Sequence, residues 1–189
     1  MNVLLVNPEV RLDEAPFIVP LWAGILASIA ENKGHNVGLL DLNALRMKYD
    51  GETVPTPKII EEIQSTNWDV IGIGGLTTTY ARMKELIPLL RKYSPDSLII
   101  SGGGWITYNP DEIFQLIPQI NLSCIGEGEE TFGEVLDHVE QGNKSFEDIA
   151  GLCINNNGES IFTKPRALIP DLNTVPFPAY HLYELDIYF

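Results

Sequence analysis

The sequence predicts an α/β protein: a doubly wound, five-stranded parallel sheet of the flavodoxin-like or Rossmann-like type, followed by a C-terminal β-hairpin and an extended linker. Three observations carry this. Short, nearly unbroken apolar runs recur five times before residue 127, and unbroken apolarity, unlike alternation, marks strands buried on both faces. Segments with apolar residues at helical spacing lie between the runs. After Gly142 the alternation gives way to a short paired motif and a proline-rich stretch.

The elements follow in order. Val3–Asn7 (VLLVN) reads as the first strand. Pro20 to Lys33 is a helix with Leu21, Ile25, Leu26 and Ile29 on one stripe; Pro20 suits its first turn and Gly34 its stop. Asn36–Asp41 is the second strand, and Lys58 to Ser65 is helical through Ile59, Ile60 and Ile63. Asp69–Gly74 (DVIGIG) is the third strand. The helix Thr78 to Tyr93 carries Met83, Leu86, Ile87 and Leu90, with Pro88 inside it to kink it or shift its start. Ser97–Gly102 and Leu122–Gly126 are the fourth and fifth strands. Thr131 to Glu140 offers Phe132, Val135, Leu136 and Val139 as one face. Five such units suggest the strand order 2-1-3-4-5. Residues 1–142 form the sheet domain on this reading. Residues 143–189 hold a hairpin around Asn156-Asn157-Gly158 and a linker with prolines at 165, 170, 176 and 178. The crowding of Tyr180, Tyr183, Tyr188 and Phe189 implies packing on something, and a chain that continues past Phe189.

Composition narrows the function. The chain has 189 residues, 44% of them hydrophobic, which is ample for a core. The net charge of −14 argues against nucleic-acid phosphates and anionic membrane surfaces as partners; solubility is the plainer meaning of so acidic a surface. Cys124 and Cys153 sit in apolar runs with no CxxC or Cys/His cluster, so no zinc or iron–sulfur site belongs to this chain. Two reduced thiols fit a cytoplasmic location. The N-terminus lacks a basic region and reads as a strand, not a signal peptide. No apolar run reaches the roughly 20 residues of a membrane span.

In an open parallel sheet, ligands bind beyond the carboxyl ends of the strands. Four loops meet there: NPEVRLDEAPFIVP, GGLTTTYA, GGGWITYNP and GEGEET. Three are glycine-rich. Glycine lets backbone approach a ligand and leaves a slot where side chains would stand; each loop alone could be a tight turn, whereas three on one edge favour a groove. Asn7-Pro8 stands where a dinucleotide fold needs GxGxxG, no loop ends in GK[ST], and no Asp follows the third strand as a phosphoreceiver needs.

The ordered segments VLLVNP, DVIGIGGLTTT, SLIISGGGWITYNPDE, IGEGEETFGEVL, GLCINNNG and IPDLNTVPFPAY resemble the N-terminal cobalamin (B12)-binding domain of B12-dependent radical S-adenosylmethionine (radical SAM) enzymes, over nearly the whole chain. The resemblance implies a corrin ring over the strand ends, with its nucleotide tail threaded beside the glycines. It implies cofactor contacts from Asn7 and Pro8; from Leu76, Thr77 and Thr78; from Gly102, Gly103, Gly104 and Trp105; and from Gly126, Glu127, Gly128, Glu129 and Thr131. Glu127 and Glu129 would accept from corrin amides, or simply complement a helix N-terminus. Related sequences often carry His where Trp105 stands; an indole there packs on the corrin or in the core. The D-x-H-x-x-G cobalt-ligating motif of other B12 modules is absent, so the resemblance implies no histidine ligand to cobalt. Arg11, in the long first loop, is a candidate for the lower face of cobalt, or a solvated charge. S-adenosylmethionine and a [4Fe-4S] cluster would belong to a downstream radical SAM domain of the same polypeptide, since the CxxxCxxC motif does not occur here. The full enzyme would then be a methyltransferase or a cyclase, and this chain alone non-catalytic. The competing reading is a non-catalytic flavodoxin-like interaction domain with a vestigial ligand site.

Overall fold

The computed structural model describes residues 1–10, 12–110 and 112–189. Along the chain run β1 (Asn2–Asn7), α1 (Leu21–Asn32), β2 (Asn36–Asp41), α2 (Leu42–Leu45), α3 (Thr56–Gln64), β3 (Val70–Gly74) and α4 (Tyr80–Tyr93). Then come β4 (Leu98–Gly102), α5 (Gly104–Tyr108), α6 (Ile113–Leu116), β5 (Leu122–Cys124), α7 (Glu129–Glu140), β6 (Leu152–Asn156) and β7 (Glu159–Phe162).

The strands form one sheet in the order β2-β1-β3-β4-β5-β6-β7. The first five are parallel and keep the expected order. The expectation of a five-stranded parallel sheet with a separate hairpin is corrected: the sheet has seven strands and is mixed, because β6 and β7 join it antiparallel. The reason lies in β5. It is three residues long and buried throughout, so as an edge strand it would leave buried backbone groups unpaired. β6 supplies those partners, and its Leu152 and Cys153 enter the two opposite cores. Asn157 (φ 53) and Gly158 (φ 94) make the two-residue turn.

Alternate residues of each strand point to opposite faces. Leu4, Val6, Ile71, Ile73 and Ile99 meet α3 and α4 residues such as Ile59, Ile63, Met83, Leu86 and Ile87. Val3, Leu5, Val70, Ile100 and Leu122 meet α1 and α7. In α1 the buried residues are Ala23, Gly24, Ala27 and Ala30, not the expected Leu21, Ile25, Leu26 and Ile29 stripe. Small residues let α1 lie close to the sheet and leave Gly24 facing the chain's end: a Cβ there would stand 2.8 Å from Pro178 and 2.7 Å from the Tyr183 hydroxyl. Pro88 is accommodated within α4. Gly34 stops α1 at φ 83, and the His35 N–H returns to the Ala30 carbonyl at 3.1 Å.

The C-terminal segment folds back over α1. The Ala179 N–H donates to the Gly24 carbonyl at 3.0 Å, Ser28 Oγ to the Phe177 carbonyl at 2.6 Å, and Tyr183 OH to the Pro20 carbonyl at 2.8 Å. Tyr183 and Tyr188 are thereby buried, while Phe177 and Phe189 stay exposed. No helix among the described residues is long and apolar enough to cross a membrane.

Candidate functional site: a glycine-floored cavity at the carboxyl edge

A cavity of about 690 Å³ opens where the parallel strands end. Its floor is Gly72 and Gly74 of β3, Ile100 and Gly102 of β4, and Cys124 of β5. All belong to the sheet face covered by α1 and α7, which supply Trp22, Leu26 and Phe132 as walls. The rim comes from Asn7 at the end of β1 and the loop after it (Pro8, Val10 and 14–18), and from the loops after β3 (Gly75, Leu76, Thr78, Thr79) and β5 (Gly126, Glu127, Gly128), with Glu129 at the start of α7.

Glycine at strand positions creates the space. Gly74 pairs with Gly102 across β3 and β4, so two neighbouring positions lack side chains. A Cβ at Gly74 would come within 2.7 Å of the Trp22 ring, and one at Gly72 within 2.8 Å of Leu5 Cδ2. The three consecutive glycines divide the work. A Cβ at Gly102 would meet only Cys124 Cβ, at 3.7 Å, so its absence leaves room. Gly103 has φ 105, and a Cβ there would collide with the backbone of Gly75; it lets two loops touch, beside the 3.1 Å bond from Gly75 N–H to the Gly102 carbonyl. Gly104 begins α5, a short helix within what reads as a loop in the sequence.

Two buried ionic residues shape the long loop after β1. Glu9 accepts from Arg82 Nε at 2.8 Å and Nη2 at 3.1 Å, and from the Val54 N–H at 3.2 Å. Arg46, 1% exposed, donates to the carbonyls of Leu12 (3.3 Å), Gly51 (2.6 Å) and Glu14, and to Asn43 Oδ1 (3.3 Å). Buried guanidinium groups persist when every donor direction finds an acceptor. The candidate Arg11 lies outside the described residues.

Of the residues named from the sequence, Asn7, Pro8, Leu76, Thr78, Gly102, Gly103, Gly126, Glu127, Gly128 and Glu129 line the cavity. Leu76 stands 58% exposed at its mouth. Thr77 begins a 3-10 turn and is exposed. Trp105 turns away from the cavity and packs on Tyr80, ring centroids 4.4 Å apart. Thr131 is buried beneath the rim: its hydroxyl donates to the Ala150 carbonyl at 3.2 Å and receives Arg166 Nε at 2.8 Å. Trp22, Gly72, Gly74, Cys124 and Phe132 are among the lining residues not expected from the sequence. The spacing of Gly72 and Gly74, two apart in one strand, is the signal that could have found them.

Polar groups are few. Glu127 Oε2 takes the Ile169 N–H at 2.6 Å, tying the linker to the rim. Glu129 Oε2 is buried with no partner among the described residues. Burial pushes the Cys124 thiol up to about 11. Asp41, just behind Asn7, is also raised by burial, against hydrogen bonds from Tyr188, Asn7 and the N–H groups of Ala44 and Asn43. None of the three histidines lines the cavity: His35 stands before β2, His138 bonds Asp148 at 3.2 Å, and His181 bonds Glu31 at 2.9 Å. No group of His, Cys, Asp and Glu among the described residues could hold a metal ion.

An uncharacterized methyltransferase of Pyrococcus horikoshii is 27% identical over 169 residues, 89% of this chain and 35% of that protein. The cobalamin-dependent radical SAM methyltransferase TokK of Streptomyces tokunonensis is 23% identical over 89% of this chain and 24% of its own length. The solved structure of the cobalamin-dependent S-adenosylmethionine radical enzyme OxsB, with aqua-cobalamin and S-adenosylmethionine bound, shares the fold with a TM-score of 0.80 at 21% identity, covering 99% of this chain and 25% of OxsB. The chain thus spans about a third or less of these proteins. Residues 14–136 match the family model of the B12 binding domain, and the chain belongs to that family.

Proposed function

We propose that this chain holds cobalamin for a longer radical SAM enzyme, most simply a methyltransferase. The observation that carries the reading is the cavity whose floor is Gly72, Gly74 and Gly102. Its residues fit the cofactor. Side-chain-free strand positions admit a flat, bulky appendage, the walls are mainly apolar, and the unpartnered Glu129 oxygen suits a ligand edged with N–H donors. When bound, cobalamin supplies a cobalt centre able to carry and hand over a methyl group.

Each group of residues has a part. The β3–β4 glycines make room for the nucleotide tail, and Trp22 and Phe132 bound that space. Leu76 gives the ring an apolar seat at the mouth. Gly126 and Gly128 let the loop after β5 pass close to it. Residues 1–142 hold the cofactor, and 143–189 lead through the hairpin and linker to a radical SAM domain of the same polypeptide. That domain would bring S-adenosylmethionine and the [4Fe-4S] cluster; this chain alone would position and not catalyse.

The test is direct. Protein incubated with hydroxocobalamin and desalted should carry corrin absorbance at close to one equivalent. A colourless protein fraction, from material that is folded by circular dichroism, refutes the assignment and leaves an interaction domain as the better reading.

A further inference from the structure

We infer that the C-terminal segment, acting through Tyr188 and Asp41, orients Asn7 so that the cavity meets its ligand with a hydrogen-bond acceptor; this rests on the cobalamin reading and deepens it. Asn7 ends β1, lines the cavity and is only 9% exposed. Asp41 ends β2 directly beside it in register. Asn7 Nδ2 donates to Asp41 Oδ1 at 2.8 Å. Asp41 Oδ1 already accepts from two backbone N–H groups, so the atom facing Asn7 is an acceptor and the NH₂ end of the Asn7 amide must face it. The carbonyl end, Oδ1, takes no donor from any described residue. It is therefore held as an acceptor for an amide N–H or hydroxyl of the ligand, the chemistry of a macrocycle fringed with primary amides.

What fixes Asp41 lies far along the chain. Oδ1 also accepts from the N–H groups of Asn43 (3.2 Å) and Ala44 (3.4 Å), capping α2. Oδ2 accepts from Tyr188 OH, 147 residues away. Tyr188 is buried and does not line the cavity. The segment that delivers it is pinned on α1 by Tyr183 OH to the Pro20 carbonyl and by the Ala179 N–H to the Gly24 carbonyl. Gly24 lacks a side chain where Pro178 and Tyr183 sit. Tyr188 and Asp41 are positioning residues: they touch the residue that meets the ligand. The C-terminal segment is thereby coupled to the cofactor's seat.

The experiment uses the full 189-residue chain and hydroxocobalamin as probe, with affinity read by equilibrium titration. Tyr188→Phe removes one hydrogen bond to the carboxylate and should weaken binding about 5- to 10-fold. Asn7→Ala should lose as much, and adding Tyr188→Phe to it should change nothing further, because the tyrosine acts only through Asn7. Lys48→Met breaks the exposed 2.6 Å pair with Glu184 in the same segment and should leave affinity unaltered. Equal affinity for Tyr188→Phe and the unaltered chain overturns the inference, as do additive losses in the double variant or a Lys48→Met loss equal to that of Tyr188→Phe. Failure of the unaltered chain to bind is a different result and overturns the cobalamin reading beneath it.

Discussion

The two faces of the sheet solve opposite problems with the same strands. On the α3–α4 face, Ile71, Ile73, Met83, Leu86, Ile87, Leu90 and Phe114 are all buried to within 1%, large side chains filling the space between layers. On the α1–α7 face the helix brings Ala23, Ala27 and Ala30, and the strands bring Gly72, Gly74 and Gly102 near their ends. One face excludes everything; the other is left incomplete at one end. Stability should therefore reside mainly in the first and ligand capacity in the second, and substitutions can separate the two.

The largest effect is expected on the filled face. Phe114→Ala deletes a ring from a fully buried site and should cost about 4 kcal/mol in urea unfolding, the usual toll of an aromatic cavity. Corrin bound per folded molecule should not change. A smaller cost with impaired binding would mean that the division between faces is false.

The glycines allow a finer separation. Gly103→Leu looks like the obvious way to fill the slot, yet Gly103 touches the Gly75 backbone at φ 105, so that variant should lose roughly 1–3 kcal/mol of stability from strain alone. Gly102→Leu is the discriminating change: its Cβ meets only Cys124 Cβ at 3.7 Å. It should leave the urea midpoint nearly unmoved and weaken hydroxocobalamin binding at least about tenfold, some 1.4 kcal/mol. Tight binding by Gly102→Leu would place the ligand elsewhere on the rim.

Cys124 sharpens the contrast from the cavity floor. Its neighbour on the filled face, Cys153, is buried in packed side chains, whereas Cys124 borders open space. Burial nevertheless raises its thiol from 9.0 to about 11. Two units fewer of ionisation should slow its alkylation at pH 8 about a hundredfold relative to a free cysteine, because the thiolate is the reacting form. Peptide mapping after iodoacetamide treatment distinguishes the two thiols; rapid labelling of Cys124 in folded protein would contradict so apolar a floor.

How much of this was legible in the residues depends on the range of the interaction. The first five strands, the four long helices and the loop edge followed from local apolar runs, while the short α2, α5 and α6 did not, and ten of the fourteen residues named from the resemblance border the cavity. The mixed sheet was not legible, because only pairing shows that the three-residue β5 needs β6. The Ala face of α1 was hidden because Leu and Ile at helical spacing dominate any sequence count, and close approach to a sheet is a property of two elements together. Arg46, Glu9 and Tyr188 each reach a partner 32 to 147 residues away, and nothing in their own neighbourhoods announces those contacts.

The amino edge of the sheet supplies the smallest and last contrast. His35 stands before β2 with both ring nitrogens buried and without a hydrogen bond, Nδ1 lying 3.9 Å from Glu140 Oε1. Burial lowers its pKa below 6.5, helped by the N-terminus and Lys33 and opposed by Glu140 and Asp137. The folded state therefore stays neutral at a pH where the unfolded chain already binds a proton, so stability should fall as pH drops below about 6.5. It should level off once the folded-state pKa is passed. His35→Leu removes the proton and should flatten the urea-midpoint profile between pH 7.5 and 5.5 while leaving corrin affinity at neutral pH untouched. Parallel profiles for the two proteins would show that His35 reaches water, and that the amino edge is looser than its packing indicates.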